Sequence, residues 1–273
     1  MVEKVSICIP VYNNADVIGA TIDAILHQTY KNIELVIVDD ASSDNSCEVI
    51  ESYRDGRIKL YRNKQNLGMT GNWNRCVELA SAEFIKLVCA DDILRPKCIE
   101  TELSALTASG EAVMTVSDSI MINRKKKKLG IFRRYYKRGM VEGRKIARKS
   151  IIFSNFFGMP CAVMFRKAIF EQAGGFDNRF RYILDFDLWI AMAMRGKVIV
   201  LPTPLNYFML RRDSNTGKVL CGNSREYYNE HVKLIDKYAK KLQLNRFEIW
   251  FSKLFRKVRN KVYGIWLGHI LKK

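Results

Sequence analysis

The sequence predicts an α/β fold: a mostly parallel sheet flanked by helices, followed by a helical tail. Three observations carry this. Short β-branched runs alternate with stretches of helical apolar spacing through the first hundred residues, which is the pattern of strand–helix–strand units. Three of the four early runs stop at ligand-type residues, Pro10-Val11-Tyr12, Asp39-Asp40 and Asp91-Asp92, so one sheet edge collects them. Beyond Pro204 there is no further proline, and apolar residues recur every three to four positions to the end.

Taken in order, VSICIP (5–10) is a buried strand closed by proline. Residues 14–28 place Ile18, Ile22, Ile25 and Leu26 on one helical face behind polar capping residues. IELVIV (33–38) is a second strand, Ser43-Asp44 opens a short helix through Ile50, and 58–61 is a third strand. After the loop at Asn66-Leu67-Gly68, residues 73–79 read as helix and 84–88 as the fourth strand. Further on, 112–121 and 160–165 are strand-like, 185–195 is a helix with an acidic first turn, and 198–201 is a strand. The stretch RKKKKLGIFRRYYKR reads as an exposed basic loop.

Composition narrows the class. With 273 residues, 48% hydrophobic and 27% charged, the chain can bury a sizeable core and is not disordered. No apolar run approaches the ~20 residues of a membrane span. The opening VEKVSICIPVYNN lacks a basic lead and a small-residue cleavage site, so no signal peptide is expected. Seven scattered cysteines without a CxxC point to reduced, cytoplasmic thiols, and three histidines make a multi-histidine metal site improbable. The net charge of +18 is concentrated: residues 124–149 carry 13 basic residues against one acid, and 217–273 carry 14 against four. The remaining body is slightly acidic. Two basic appendages suit attraction to an anionic surface at least as well as nucleic-acid binding, which more usually places charge and stacking aromatics on the folded body.

The acidic pairs are the chemical signal. Asp39-Asp40 could be no more than a helix-capping cluster. Its repetition at a second strand end, Asp91-Asp92, favours a cation, because adjacent carboxylates in a cleft repel unless one is bound. Hard oxygen ligands favour Mg²⁺ or Mn²⁺. Neither GxGxxG nor GxxxxGK[ST] occurs, nor a nucleophile elbow, which argues against dinucleotide oxidoreductases, P-loop NTPases and acyl transferases. Asp185 and Asp187 form a further carboxylate pair at a helix start, two residues apart and therefore facing different directions.

The run CIPVYNN…ILHQTYKNIELVIVDDASSD…NLGMTGNWNRCVELASAEFIKLVCADD, continued by GMPCAVMFRK, GGFD and ILDFDLWIAM, resembles the inverting family 2 glycosyltransferases of the GT-A (Rossmann-like) fold. The resemblance spans about residues 4–215. It implies a glycosyltransferase domain over 1–215, with a nucleotide-sugar half (1–100) and an acceptor half (101–215), and a basic amphipathic helical tail over 216–273. By position, Pro10, Val11 and Tyr12 match the nucleotide-sugar pocket, with the aromatic on the base. Asp40 matches the carboxylate that reads the base, with Asp39 beside it, and Asn66 and Gly68 lie in the loop near the nucleotide. Asp91 matches the residue approaching the donor ribose or sugar, Asp92 the metal ligand, and Asp185 the general base, leaving Asp187 a structural role. Three positions depart from the family pattern. Cys89 stands where an Asp usually leads the metal motif, Leu184 where an acid usually precedes the base, and Arg211 or Arg212 where a histidine is often found.

The expected reaction is transfer of a sugar from a nucleotide-sugar donor, UDP being the commonest nucleotide, to a hydroxyl of a glycan acceptor. In the tail, Phe247, Phe251, Leu254, Val258, Val262 and Ile265 form an apolar stripe flanked by Phe255 and Trp266, with Lys253, Arg256, Lys257, Arg259 and Lys261 opposite. That pattern serves equally to dock a helix on the enzyme or to hold it at an anionic membrane surface. The second use implies a lipid-linked glycan acceptor and work at the inner face of the cell membrane. The rival classes are a non-catalytic basic module for membrane or nucleic acid, and a sugar-nucleotidyltransferase, whose glycine- and arginine-rich triphosphate loop is missing.

Overall fold

A computed structural model describes residues 3–123, 125–210 and 224–270. Its centre is β1 (Val5–Val11), buried along all seven residues because it lies between β2 (Ile33–Asp39) and β4 (Phe84–Leu87), both parallel to it. β3 (Ile58–Arg62) adds in parallel outside β2. Successive β1 side chains enter different cores, as a two-residue period requires. Ile7 and Ile9 pack with Ile22 on one face, and Cys8 packs with Trp73 and Val77 on the other. The covering helices are α1 (Ile18–Leu26), α2 (Ser46–Glu51) and α3 (Gly68–Leu79).

The second half changes direction. β5 (Ile93–Leu94) and α4 (Cys98–Thr107) lead to the long β6 (Ala112–Ile122). Antiparallel β9 (Val163–Arg166) bridges β4 and β6, and β10 (Lys197–Met209) runs parallel to β6. The path is β3-β2-β1-β4-β9-β6-β10-β5. The sheet is thus parallel from β3 to β4 and mixed beyond it.

The basic stretch is not the exposed loop that its charge suggests. It forms β7 (Lys128–Phe132) against β6 and runs on to β8 (Gly139–Glu142) against β10. Lys125, Lys126 and Lys127 sit at the exposed hairpin turn, where Lys126 takes φ +57°, while Arg134 and Tyr135 are buried behind it. A charge run marks the turn and says nothing of the residues after it.

α5 (Gly143–Ile152), α6 (Lys167–Ala173) and α7 (Leu184–Ala193) pack on the sheet. α8 (Ser224–Ala239) is tied to α7 by Lys237, whose ammonium lies 2.7 and 2.8 Å from the two oxygens of Asp187. α9 (Arg246–Ile270) docks by an unexpected side. Arg256, read from sequence as part of an outward cationic face, is buried, and its guanidinium donates at 2.8 Å to the carbonyls of Ser150 and Ile151. Those carbonyls end α5 and have no helical partner of their own, so a buried donor there is well placed. The apolar stripe consequently faces outward: Phe247, Trp250, Leu254 and Val258 are all exposed, and Phe251 and Phe255 stack beside Phe153. The side chains of Lys261, Val262, Ile265 and Trp266 lie outside the described residues. Among the described residues no helix is long and apolar enough to cross a membrane.

Candidate active site

The carboxyl ends of β1, β2 and β4 meet because the parallel register sets Val11 opposite Asp39 and carries β4 alongside Cys8. Pro10 and Val11 are buried there. The chain then turns through two non-glycine residues at positive φ, Asn13 (+54°) and Ala41 (+58°). They are locked together, since the Asn13 amide donates to Ser42 Oγ and Asn13 Oδ1 accepts from the Ser43 amide, both at 2.9 Å. This leaves Tyr12, 50% exposed, as an aromatic face at the mouth of the cleft.

Asp40 organises the floor. Its Oδ1 accepts from Asn63 Nδ2 at 2.7 Å and from the Leu67 amide at 2.8 Å, fixing the loop that holds Asn66 and Gly68. Asn66 Oδ1 accepts from the Gly68 amide, and Gly68 at φ +74° lets that loop turn into α3. Asn72 backs the arrangement: its Oδ1 accepts from Asn63 and its Nδ2 donates to the Val38 carbonyl. Asp39 accepts from the Ser42 amide through Oδ2, and its other oxygen is buried without a partner. The expected nucleotide residues Pro10, Val11, Tyr12, Asp39, Asp40, Asn66 and Gly68 therefore share one rim. Asn63 and Asn72 escaped the sequence reading, although an Asn just past a third strand end and a polar residue on the buried face of a helix are visible signals.

Asp91 and Asp92 follow β4. Thr21 Oγ1 pins their backbone, donating to the carbonyls of Ala90 (2.8 Å) and Asp92 (3.0 Å). The Asp92 carboxyl is buried; neither oxygen makes a hydrogen bond of full geometry, and only the Cys161 thiol and the Met209 backbone act on it from hydrogen-bonding positions. Burial, reinforced by the neighbouring Asp91, pushes it well above the carboxylate range. Asp185 lies in the first turn of α7, where its Oδ1 accepts from the Phe186 amide at 2.7 Å. It is half-buried, and desolvation lifts its carboxyl to about 7 against the pull of Arg134. The Cys89 thiol, pushed up first by burial, also feels the charges of Asp92, Asp91 and Asp185, so the three carboxylates converge around it. Asp187 turns away into its ion pair with Lys237.

Among the described residues no group of three or more His, Cys, Asp or Glu could hold a metal ion unaided. The orphaned hard oxygens of Asp92 fit one protein ligand to a divalent cation whose other ligands come from substrate and water. Arg211 and Arg212 lie outside the described residues. A cavity of about 810 Å³ opens on the other side of the Leu67–Gly68 loop, between Asn74, Asp177, Lys237 and Tyr238. It shares that loop but none of Asp40, Asp91, Asp92 or Asp185.

The Glycosyl transferase family 2 profile matches residues 6–174. An uncharacterized glycosyltransferase of Rickettsia typhi is 31% identical over 68% of this chain, which spans 57% of that protein's length. WfgD of Escherichia coli, a UDP-Glc:α-D-GlcNAc-diphosphoundecaprenol β-1,3-glucosyltransferase, is 36% identical over 44% of this chain and 47% of its own. Among solved structures, the mannosyltransferase PcManGT of Pyrobaculum calidifontis, in complex with GDP-Man and Mn²⁺, shares the fold. Its TM-score is 0.65 at 17% identity, over 98% of this chain and 74% of that one.

Proposed function

The chain belongs to glycosyl transferase family 2 and uses a nucleotide-sugar donor; from that premise we propose an inverting, metal-assisted transfer from a UDP-sugar to a hydroxyl of a lipid-diphosphate-linked glycan, in surface polysaccharide assembly. The observation that carries it is the convergence of two carboxyls, Asp92 and Asp185, on the Cys89 thiol beside the rim of Tyr12, Asp39 and Asp40, both displaced far above their ordinary ionisation. The donor and acceptor follow WfgD, whose printed activity joins UDP-Glc to a diphosphoundecaprenol-linked sugar.

In this reading the nucleotide half (1–100) holds the donor and the acceptor half (101–215) brings the base. Tyr12 stacks on the nucleotide base, and Asp40, held rigid by Asn63 and Leu67, presents its second oxygen to the base edge. Asp39 Oδ1 offers an open acceptor. Asn66 and Gly68 line the nucleotide from the α3 side, and Asp91 reaches the donor ribose or sugar. Asp92 would hold Mg²⁺ or Mn²⁺, which supplies Lewis-acid neutralisation of the leaving diphosphate. Asp185 takes the acceptor hydroxyl proton as that oxygen attacks the anomeric carbon opposite the leaving group. A carboxyl poised near neutrality suits the task, because it is ionised at working pH yet basic enough to accept the proton. Asp185→Asn should cut kcat by about 10²–10⁴-fold with little change in donor KM. A near wild-type rate at saturating metal and donor would remove the base assignment.

The tail places the enzyme at the inner face of the cell membrane. Its outward aromatics share α9 with the exposed Arg246 and Lys257, a combination suited to anionic headgroups. Flotation with phosphatidylglycerol vesicles tests it: Phe247→Ser with Trp250→Ser should reduce binding in the full chain, and equal binding by both forms sinks the idea.

A further inference from the structure

Arg134 is a buried guanidinium, 4% exposed, in the segment between β7 and β8. Its hydrogen bonds go to neutral groups: Nε donates to the Ser117 carbonyl (3.1 Å), and one terminal nitrogen donates to Ser119 Oγ (2.8 Å) and Met159 Sδ (3.2 Å). Phe132 offers its ring face 4.8 Å away. The other terminal nitrogen, Nη1, is sealed from solvent without a partner. A buried cation is ordinarily kept only beside an anion. Asp118 is close but already committed, since Arg138 holds both of its oxygens at 3.0 and 2.8 Å. The groups that favour its charged form are Cys161, then Asp118, and then Asp185, the second carboxylate that acts on it. Asp185 makes no ion pair of its own among the described residues.

The backbone has made room for this arrangement. Gly158 sits at φ +102°, and a Cβ there would lie 2.3 Å from the guanidinium carbon, so only glycine admits the side chain. The Gly158 carbonyl accepts from Trp189 Nε1 at 3.2 Å. Trp189 stands one helical turn after Asp185 on α7, on the same face. A continuous contact therefore runs from Arg134 through Gly158 to the helix face that carries Asp185. Because Nη1 is closed to the cleft, the guanidinium reaches Asp185 through its field and not by touching substrate. The titratable and charged groups around Asp185 are Arg134, Cys89 from the β4–β5 connection and, gathered about that thiol, Asp91 and Asp92; on its own helix it meets the Phe186 amide.

We propose that Arg134 is a positioning residue for Asp185: cradled by Gly158, its guanidinium keeps that half-buried carboxylate in the ionised form that receives the acceptor proton. The inference rests on reading Asp185 as the base, and its test separates the two. The Asp185 carboxyl is followed by ¹³C NMR across pH, its signal assigned by its loss in Asp185→Asn, alongside the pH profile of kcat/KM. Arg134→Gln should move the Asp185 midpoint upward by about one unit, within the range a single nearby charge produces. The acidic limb of the rate profile should follow, so that activity at pH 6 falls about tenfold more than at pH 9. Arg134→Lys should restore most of the shift. If Arg134→Gln fails to fold, Arg134→Met, which leaves no polar group stranded, gives the same reading. An unmoved Asp185 midpoint in a folded variant overturns the proposal, whatever happens to activity. A midpoint that moves while the rate profile stays still spares Arg134 and removes Asp185 as the base.

Discussion

Asp39-Asp40 and Asp91-Asp92 are the same local sequence, an acidic pair at the exit of a buried parallel strand, with opposite physical outcomes. At the first pair, Asp40 receives two donors and Asp39 one, so the carboxylates are built into the loops around them. At the second, Asp92 is sealed with no hydrogen bond of full geometry, only the Cys161 thiol and the Met209 backbone acting on it, and the protein supplies backbone anchoring by Thr21. Neighbours account for the difference. β3 and α3 bring Asn63, Leu67 and Asn72 to the first pair, whereas the second faces Cys89 and Cys161, poor donors raised by burial. One pair is finished by folding. The other, in the proposed reading, is completed by a bound cation.

The largest effect expected from this contrast is kinetic. Asp92→Asn should lower kcat by about 10³-fold or more and abolish the response to added Mn²⁺, as loss of metal-borne charge stabilisation costs several kcal/mol. A variant retaining a tenth of the activity with intact metal response would end the contrast. Asp40→Asn should act chiefly through donor KM, by about 10–100-fold, because what it loses is ground-state binding that the transition state also uses. A pure kcat defect there would break it from the other side.

Stability gives a smaller effect but one with opposite signs. Asp40→Ala strands the Asn63 and Leu67 donors and should cost about 2–3 kcal/mol in denaturant unfolding. Asp92→Asn removes a carboxyl that folding strips of water unpaid, and should raise Tm by about 2 °C, corresponding to about 1 kcal/mol in a chain of this size. That gain should shrink when Mn²⁺ and a nucleoside diphosphate are added, since ligand binding stabilises only the wild type. Two destabilising results would mean that Asp92 is held by interactions as firm as those of Asp40.

The two pairs also differ in how far they could be read in advance. The β1, β2 and β4 exits are visible because a strand, its apolar run and its terminal acids are contiguous, and the parallel register does the rest. The hydrogen bonds that separate Asp40 from Asp92 come from Asn63 and the Leu67 amide, 23 and 27 positions away, and Asn72, which holds Asn63 in turn, takes that place only once α3 has packed. Arg134 was hidden more deeply. It lies in a charge run whose average says exposed, and its burial depends on Gly158 and on β6, both distant in sequence. The tail shows the same limit: periodicity located its apolar stripe, but the side that docks was chosen by the open carbonyls at the end of α5, which no pattern within 246–270 encodes.

The finest test uses Asp185, which stands between the two cases with one firm hydrogen bond and a carboxyl raised to about 7. An acid whose folded pKa exceeds its unfolded value, near 3.9, leaves stability untouched below the lower value. As pH climbs, the unfolded chain releases the proton first, and stability drains away until the folded carboxyl also ionises near 7. Asp185→Asn cannot lose a proton, so its advantage in Tm should be absent at pH 4, grow through pH 5 and 6, and level off above 7. If the difference between Asp185→Asn and wild type is flat from pH 4 to 8, Asp185 belongs with the first pair and its elevated ionisation is not a property of the folded cleft.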